Sequence, residues 1–308
     1  MSETSGPNAS IQECDDCVAP AEAFSVIANE TRLSILEALW AAPERPVTFS
    51  ELRREVGMRD SAQFNYHLKQ LTDHFVVQTD AGYDFRQAGQ KVVRAILAGS
   101  FNEHPEMDPF EVVGSCAACE GALWARYEDE MLAIDCAECG KPHGKYPFPP
   151  GGLNDRTECE IAEAFNQRVR HLHCLAADGV CPECNGRMTT TVTHDDEAYL
   201  GLEVRVDHEC EQCHHQLYSA VGLSLLDQSD VVTFYRDHGI DLCTKPYWCL
   251  AWCVSDEHTT VVSTDPWEIR IEIALDDEVL RVTLDGNLDV LELERESRSA
   301  ASEGAKAI

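Results

Sequence analysis

Four of the five C-x-x-C pairs in the chain fall into two matched sets, Cys116/Cys119 with Cys136/Cys139 and Cys181/Cys184 with Cys210/Cys213. Sixteen residues separate the pairs of the first set and twenty-five those of the second. Two residues between thiolates let one tight turn present both sulfurs to a single tetrahedral ion, and two such turns close a four-cysteine zinc site. The spacing therefore predicts two zinc ions per chain. With all eight ligands cysteine, no position is left for an activated water, which points to scaffolding rather than zinc catalysis. The competing reading, redox dithiols, fits poorly: reactive pairs come singly at a helix N-terminus, whereas these come in twos joined by strand-like sequence. Gly121, Gly140 and Gly186 lie where a glycine would relieve the crowding of a knuckle, while Cys213 is followed by His214 and His215.

The remaining cysteines are less orderly. Cys14/Cys17 has no matching pair, and its partners would have to be Cys159, Cys174 or a second subunit. Cys249 and Cys253, with Cys243 nearby, sit on an aromatic stretch and read as buried free thiols.

These pairs must be held by something, and composition bounds what. The chain has 308 residues and is 44% apolar, enough for two or three domains. Its longest apolar stretches, such as Val92–Ala98, are too short to span a bilayer. The polar, acidic N-terminus does not read as a secretory signal, so a cytoplasmic protein is expected, where cysteines ligate metal rather than pair as disulfides. The net charge is −31, and only six of the 24 basic residues are lysine. Acid-rich, lysine-poor composition with regular apolar periodicity resembles that of proteins from salt-in halophiles. The charge is uneven: residues 21–98 carry nine bases against ten acids, and residues 99–308 carry fifteen against forty-one. A segment that approaches a polyanion would show that bias.

The periodicities predict an α+β multidomain chain. Residues 1–20 read as a flexible arm. One helix is expected over about Ala23–Trp40, with Phe24, Ile27, Leu33, Leu36 and Leu39 on its stripe. Thr48 and Glu51 spell a capping box opening a short second helix, and Asp60 caps a third whose buried stripe is Phe64, Leu68, Leu71 and Phe75. A hairpin turning at Asp80–Gly82 and a helix over Gln87–Ala98 follow. That order, over 21–98, is the order of a winged helix-turn-helix. Residues 99–111 read as a linker, 112–150 as a first zinc ribbon, and 155–225 as a helix plus a second ribbon, an internal repeat offset by 65 residues. Residues 226–293 read as a small α+β unit with an antiparallel meander, its aromatics (Tyr235, Tyr247, Trp248, Trp252, Trp267) packing a core rather than lining a pocket. Residues 294–308 read as a disordered tail.

Two motifs make the N-terminal segment more specific. Asn29-Glu30-Thr31-Arg32-Leu33-Ser34-Ile35-Leu36 and His67-Leu68-Lys69-Gln70-Leu71 resemble the first-helix and recognition-helix patterns of ArsR-type winged helix-turn-helix regulators. With its acidic composition and appended ribbons, the chain is similar to ArsR-like regulators of halophilic archaea. The resemblance implies double-stranded DNA as a partner and a homodimer formed through the first and last helices. It does not imply metal sensing of the arsenic type, because the stretch Glu51–Val56 that would carry the sensing cysteines has none.

On this reading the third helix enters a major groove. Ser61, Gln63, Asn65, Tyr66, His67 and Gln70 lie off its buried stripe, and Gln and Asn can pair with adenine edges. Arg53, Arg54, Arg59 and Lys69 are placed for phosphates, and because the hairpin tip is acidic, its phosphate contact falls to Arg86. At molar salt the Debye length is about 3 Å, so the acids elsewhere are screened and little counterion release remains. Affinity for DNA should then depend weakly on salt. No P-loop, dinucleotide glycine fingerprint, H-E-x-x-H or nucleophile elbow is present, and no enzymatic activity is expected. The competing function is an acidic protein–protein adaptor that uses the winged helix and ribbons as docking modules.

Overall fold

A computed structural model describes residues 18–199 and 201–297. They divide into two compact units, one reaching Asn102 and the other starting at Glu103. Most of the expected N-terminal arm, with Cys14 and Cys17, and the tail beyond residue 297 lie outside the described residues.

The first unit runs α1 (Pro20–Ile27), α2 (Glu30–Ala41), α3 (Phe49–Glu55), α4 (Ser61–Leu71), β1 (Val76–Thr79), β2 (Gly82–Phe85) and α5 (Gln87–Leu97). The single first helix expected from periodicity is two. Asn29 is extended (φ −155°) and its side chain accepts the Arg32 N–H, starting a new helix. Arg32 then ties the two pieces together, donating from Nη2 to the Ser25 carbonyl at 3.0 Å. The first of the two motifs is thus a cap, a tether and, in Ile35 and Leu36, two side chains with no exposed surface.

The capping box of α3 forms as expected, and the Thr48 hydroxyl, as the main cause, holds the Glu51 carboxyl below its ordinary range. Asp60 accepts from the N–H groups of Ala62 and Gln63 at the start of α4. Leu52, Phe64, Leu68 and Leu71 join Ile35 and Leu36 in the core at 0% exposure. The hairpin pairs Val76 with Phe85 and Thr79 with Gly82. Val47 and Tyr83 exchange both backbone hydrogen bonds and pin it to the segment before α3. Gly82 makes this possible: its φ is +145°, and a Cβ there would meet the Val47 carbonyl oxygen at 2.4 Å.

The second unit opens on an antiparallel sheet of four strands, β3 (Phe110–Ser115), β4 (Ala122–Glu128), β5 (Met131–Cys136) and β6 (Pro142–Pro147), in that order. The expected linker therefore ends before Phe110, and the first ribbon, in which apolar alternation marks only the two runs Ala122–Tyr127 and Met131–Asp135, has four strands. Helix α6 (Glu158–Ala177) starts at a second capping box, Thr157 with Glu160. A three-stranded sheet follows, β7 (Met188–Tyr199), β8 (Leu202–Cys210) and β9 (Gln216–Ala220). After α7 (Ser229–Asp237), the aromatic helical stretch over Pro246–Val254 splits at Leu250 (φ −110°, ψ 103°) into a 3-10 turn, Tyr247–Cys249, and α8 (Ala251–Val254). The expected meander is present as β10 (Thr259–Thr264), β11 (Trp267–Leu275), β12 (Glu278–Leu284) and β13 (Val290–Ser297), paired in sequence order.

Strand β13 runs into the residues expected to be disordered. Arg295 holds it there, bonding Glu278 and Asp237 while its guanidinium lies 5.1 Å from the Phe234 ring centroid.

The ribbons and C-terminal unit, expected as separate modules, share one core. A continuous buried cluster extends from Phe110 through α6 and both cysteine sets to Leu284. Phe165 on α6, with no exposed surface, lies 6.1–6.4 Å from the rings of Tyr146, Phe148, Tyr247 and Trp248. Polar cross-links reinforce it: Trp248 Nε1 donates to the Val113 carbonyl at 2.8 Å, and Asn166 Oδ1 accepts the Tyr247 N–H at 2.9 Å. Of the five aromatics assigned to the core, Tyr235, Tyr247, Trp248 and Trp252 are buried and Trp267 is half-buried. Of the three thiols expected to be buried there, Cys253 is, Cys249 is half-buried and Cys243 is exposed.

Candidate metal centres and the outer face of helix α4

Each cysteine set converges. In the first, the Cys116–Cys139 and Cys119–Cys136 sulfurs are 3.6 and 3.5 Å apart; in the second, Cys181–Cys213 and Cys184–Cys210 are 3.6 and 3.5 Å apart. Within each set all four sulfurs lie within 4.8 Å of one another. A tetrahedral ion with metal–sulfur bonds of about 2.3 Å requires sulfur–sulfur edges of about 3.8 Å, and a disulfide about 2.05 Å. The eight cysteines therefore fit two tetrahedral metal ions and no disulfide.

All four knuckles are built alike. The N–H after the second cysteine returns to the carbonyl of the first (Glu120 to Cys116, Gly140 to Cys136, Asn185 to Cys181, His214 to Cys210) at 2.9–3.1 Å. The first cysteine's own N–H bonds the carbonyl five residues on, at 2.8–3.0 Å. This closure puts the residue after the second cysteine in the left-handed region in every knuckle: φ is 60° at Glu120, 74° at Gly140, 59° at Asn185 and 57° at His214. Only one of these is glycine. Gly121 and Gly186 stand one residue too late to relieve that position, and the knuckle at Cys213 is as regular as the others.

Backbone N–H groups also point at sulfur. Cys136 receives Cys139 and Glu138, and Cys210 receives Cys213 and Gln212, at 3.4–3.5 Å. These bonds, the Cys139 and Cys213 N–H foremost, hold the Cys136 and Cys210 thiols down at about 6, already thiolate at neutral pH and ready to ligate.

Three buried histidines near the sites escaped the sequence reading, because an isolated His among apolar residues carries no motif. His143 Nε2 accepts the Ala117 N–H inside the first knuckle at 3.3 Å while Nδ1 faces the Lys141 carbonyl at 3.1 Å. His208, on β8, meets the Thr190 hydroxyl at 2.9 Å. His173 on α6 bonds the Tyr146 hydroxyl at 3.0 Å with no exposed surface, and burial pushes its imidazole down to about 3.

An unfolded chain would protonate that ring near 6.5. The stabilisation is therefore complete above about pH 6.5 and is lost as the pH falls toward the folded value. At pH 5 the loss from this one group is about 2 kcal/mol. Urea denaturation at pH 7.5 and pH 5.0 should show a smaller stability difference in His173→Leu than in the wild type. Both proteins carry the same eight cysteines, so metal release cancels in the comparison, and equal differences would refute this account of His173.

In the first unit, α4 presents Ser61, Gln63, Tyr66, Lys69 and Gln70 to solvent, with Tyr66 58% exposed. Asn65 and His67 are half-buried, and His67 Nδ1 is a buried atom without a hydrogen-bond partner among the described residues. Arg54 and Arg59 are exposed and Arg53 is half-buried. Arg86 is exposed at the base of the hairpin, at the position just before α5, and its guanidinium donates to the Asp73 carbonyl rather than capping the helix. Arg45, which the motifs did not single out, packs its guanidinium over Trp40 and Phe85 at 5.9 and 5.6 Å. Cys14 and Cys17 lie outside the described residues.

Residues 113–290, more than half of the chain, match the family described as a domain of unknown function, DUF7351. The chain belongs to that family. The DUF7351 match begins within β3 and ends at the first residue of β13, so it takes in both cysteine sets, α6 and nearly all of the shared core. A second domain of unknown function, DUF7347, matches residues 20–96, from α1 into α5. No curated protein and no solved structure matches the chain. Among the described residues, no helix is long and apolar enough to cross a membrane.

Proposed function

We propose that the chain is a DNA-binding transcriptional regulator: an ArsR-like winged helix-turn-helix followed by a zinc-bearing effector or interaction unit. The observation that carries this reading is α4. It is locked from beneath by Phe64, Leu68 and Leu71, capped by Asp60, and lined outside with hydrogen-bonding side chains. It stands in the one long segment that keeps its charge near zero in a chain of net charge −31. A helix so held can lie in a major groove, with Gln63 and Gln70 meeting base edges and Arg54, Arg59 and Lys69 meeting phosphates. Phe24 on α1 and Leu97 on α5, 69% and 55% exposed, support a homodimer through those two helices.

The metal is proposed to be zinc. Four thiolates in a tetrahedral arrangement suit it, as they do iron, and zinc brings no redox chemistry to a closed structural site. A reducing cytoplasm keeps such thiolates available.

Footprinting on the chain's own promoter at high salt tests the reading. Gln63→Ala should weaken specific protection about tenfold, the loss of one good base contact, and leave non-specific binding unchanged. Lys69→Ala should weaken both alike. Unchanged protection in both variants would remove α4 from DNA reading and favour the adaptor, for which exposed Tyr66 would be a contact.

A further inference from the structure

The middle of the outward face of α4 is apolar. Each residue of a helix turns about 100° from the last, so Tyr66 is turned roughly 200° from Phe64 and from Leu68 on the buried stripe. Tyr66 therefore stands opposite the core. Ala62, one turn before it, is exposed on the same line. Gln63 and Gln70 flank this line on one side, and Asn65 and Lys69 flank it on the other. Hydrogen-bonding side chains thus form the margins of the face and not its centre. The Tyr66 ring is 58% exposed and set edge to face against His67, with ring centroids 5.3 Å apart and planes at 74°.

An exposed ring on a helix can serve a protein partner or a base. The charge around Tyr66 favours the base. Residues 61–71 hold no acid and one lysine, in a chain with fifty-five acids. Asp60, just before them, spends its carboxylate on the N–H groups of Ala62 and Gln63. Arg54 and Arg59 are exposed on the neighbouring segment. A surface cleared of acid in this way suits a polyanion. The helix itself has no arginine, the usual reader of guanine. Gln and Asn suit adenine, and the apolar group that base edges display in the major groove is the thymine C5-methyl.

We infer that Tyr66, with Ala62 beside it, reads thymine by packing on its C5-methyl group, so that A·T pairs lie under the middle of α4. Gln63 and Gln70 meet adenines of the same run. This rests on the DNA-binding reading above and names the bases that the helix selects.

The test compares the chain's own promoter with the same fragment carrying 2′-deoxyuridine for thymidine, which lacks the methyl groups and keeps every hydrogen-bonding group. Footprint titrations of the metal-replete full chain at high salt should show weaker specific binding to the uracil fragment. Single replacements across the protected region should place the loss at one thymine, or two adjacent ones, in each half-site, about fourfold for each buried methyl. Tyr66→Ala should weaken binding to the thymine fragment and respond no further to uracil at those positions. Tyr66→Phe should keep the wild-type preference. Specific binding indifferent to uracil, or a uracil effect of equal size in Tyr66→Ala, would overturn the inference and leave DNA binding by α4 standing. A promoter that the wild type does not protect would overturn both.

Discussion

Removing the metal is expected to unfold the second unit while leaving the first unit folded. Cys116, Cys136, Cys181 and Cys210 are 0–3% exposed and belong to the same buried cluster as Phe165 and Val206. Ions held by these sulfurs would therefore be part of the core rather than ornaments on loops. Without them each set keeps four sulfurs packed 3.5–3.6 Å apart in pairs but loses the bonds that tied them to one centre, and the hydrogen bonds between sulfurs that push Cys119 and Cys213 up are weak substitutes. Structural zinc contributes about 10–16 kcal/mol in small modules, while a whole domain is stable by about 5–15 kcal/mol. Losing even one ion should exceed what the rest of the core can hold.

Chelation at neutral pH, followed by circular dichroism, should abolish the strand signal of β3 to β13, while the helical signal of the first unit melts in its own transition. Native mass spectrometry before chelation should show two ions per chain, and Cys210→Ser should lower that number. A chelated chain that kept a cooperative transition for its second unit would show that the ions are dispensable.

The sequence carried the local chemistry and missed the long-range packing. The C-x-x-C spacing located all eight cysteines that converge in the two sets, because a knuckle is closed by bonds within six residues. The caps at Thr48 and Asp60 were equally readable, being set by bonds that reach no more than three residues, and the Thr157–Glu160 box, which has the same local pattern, was not read. Asn29 was misread, since the apolar stripe of α1 and α2 continues through the break and periodicity alone cannot see a cap that restarts a helix in phase. Strands β3, β6 and β9 were passed over: each lies next to a knuckle or linker, and β6, with Pro at both ends and Gly144 inside, has a poor strand composition. The shared core was the least legible feature of all. Nothing local in Phe165 says that it will meet Tyr247 and Trp248, some eighty residues on, and the linear order of ribbon, helix, ribbon and meander looks like beads on a string.

Phe165→Ala is expected to weaken both metal centres together. The side chain has no exposed surface and is ringed by Tyr146 and Phe148 from the first sheet and its following loop, and by Tyr247 and Trp248 from the 3-10 turn. Its helix reaches the second sheet through His173, whose ring lies 6.1 Å from that of His208 on β8. Truncation removes a large buried ring and leaves a cavity that four other rings cannot easily fill, a loss of about 3–5 kcal/mol. In a unit with one core that loss is felt everywhere at once. Denaturation should move to lower urea as a single transition, and a chromophoric chelator should draw metal faster from both sites. Phe165→Leu, which keeps most of the volume, should recover much of the loss. If the ribbons were independent modules, Phe165→Ala would speed release from one site at most and split the unfolding curve, and that outcome would replace the single core with separate ones.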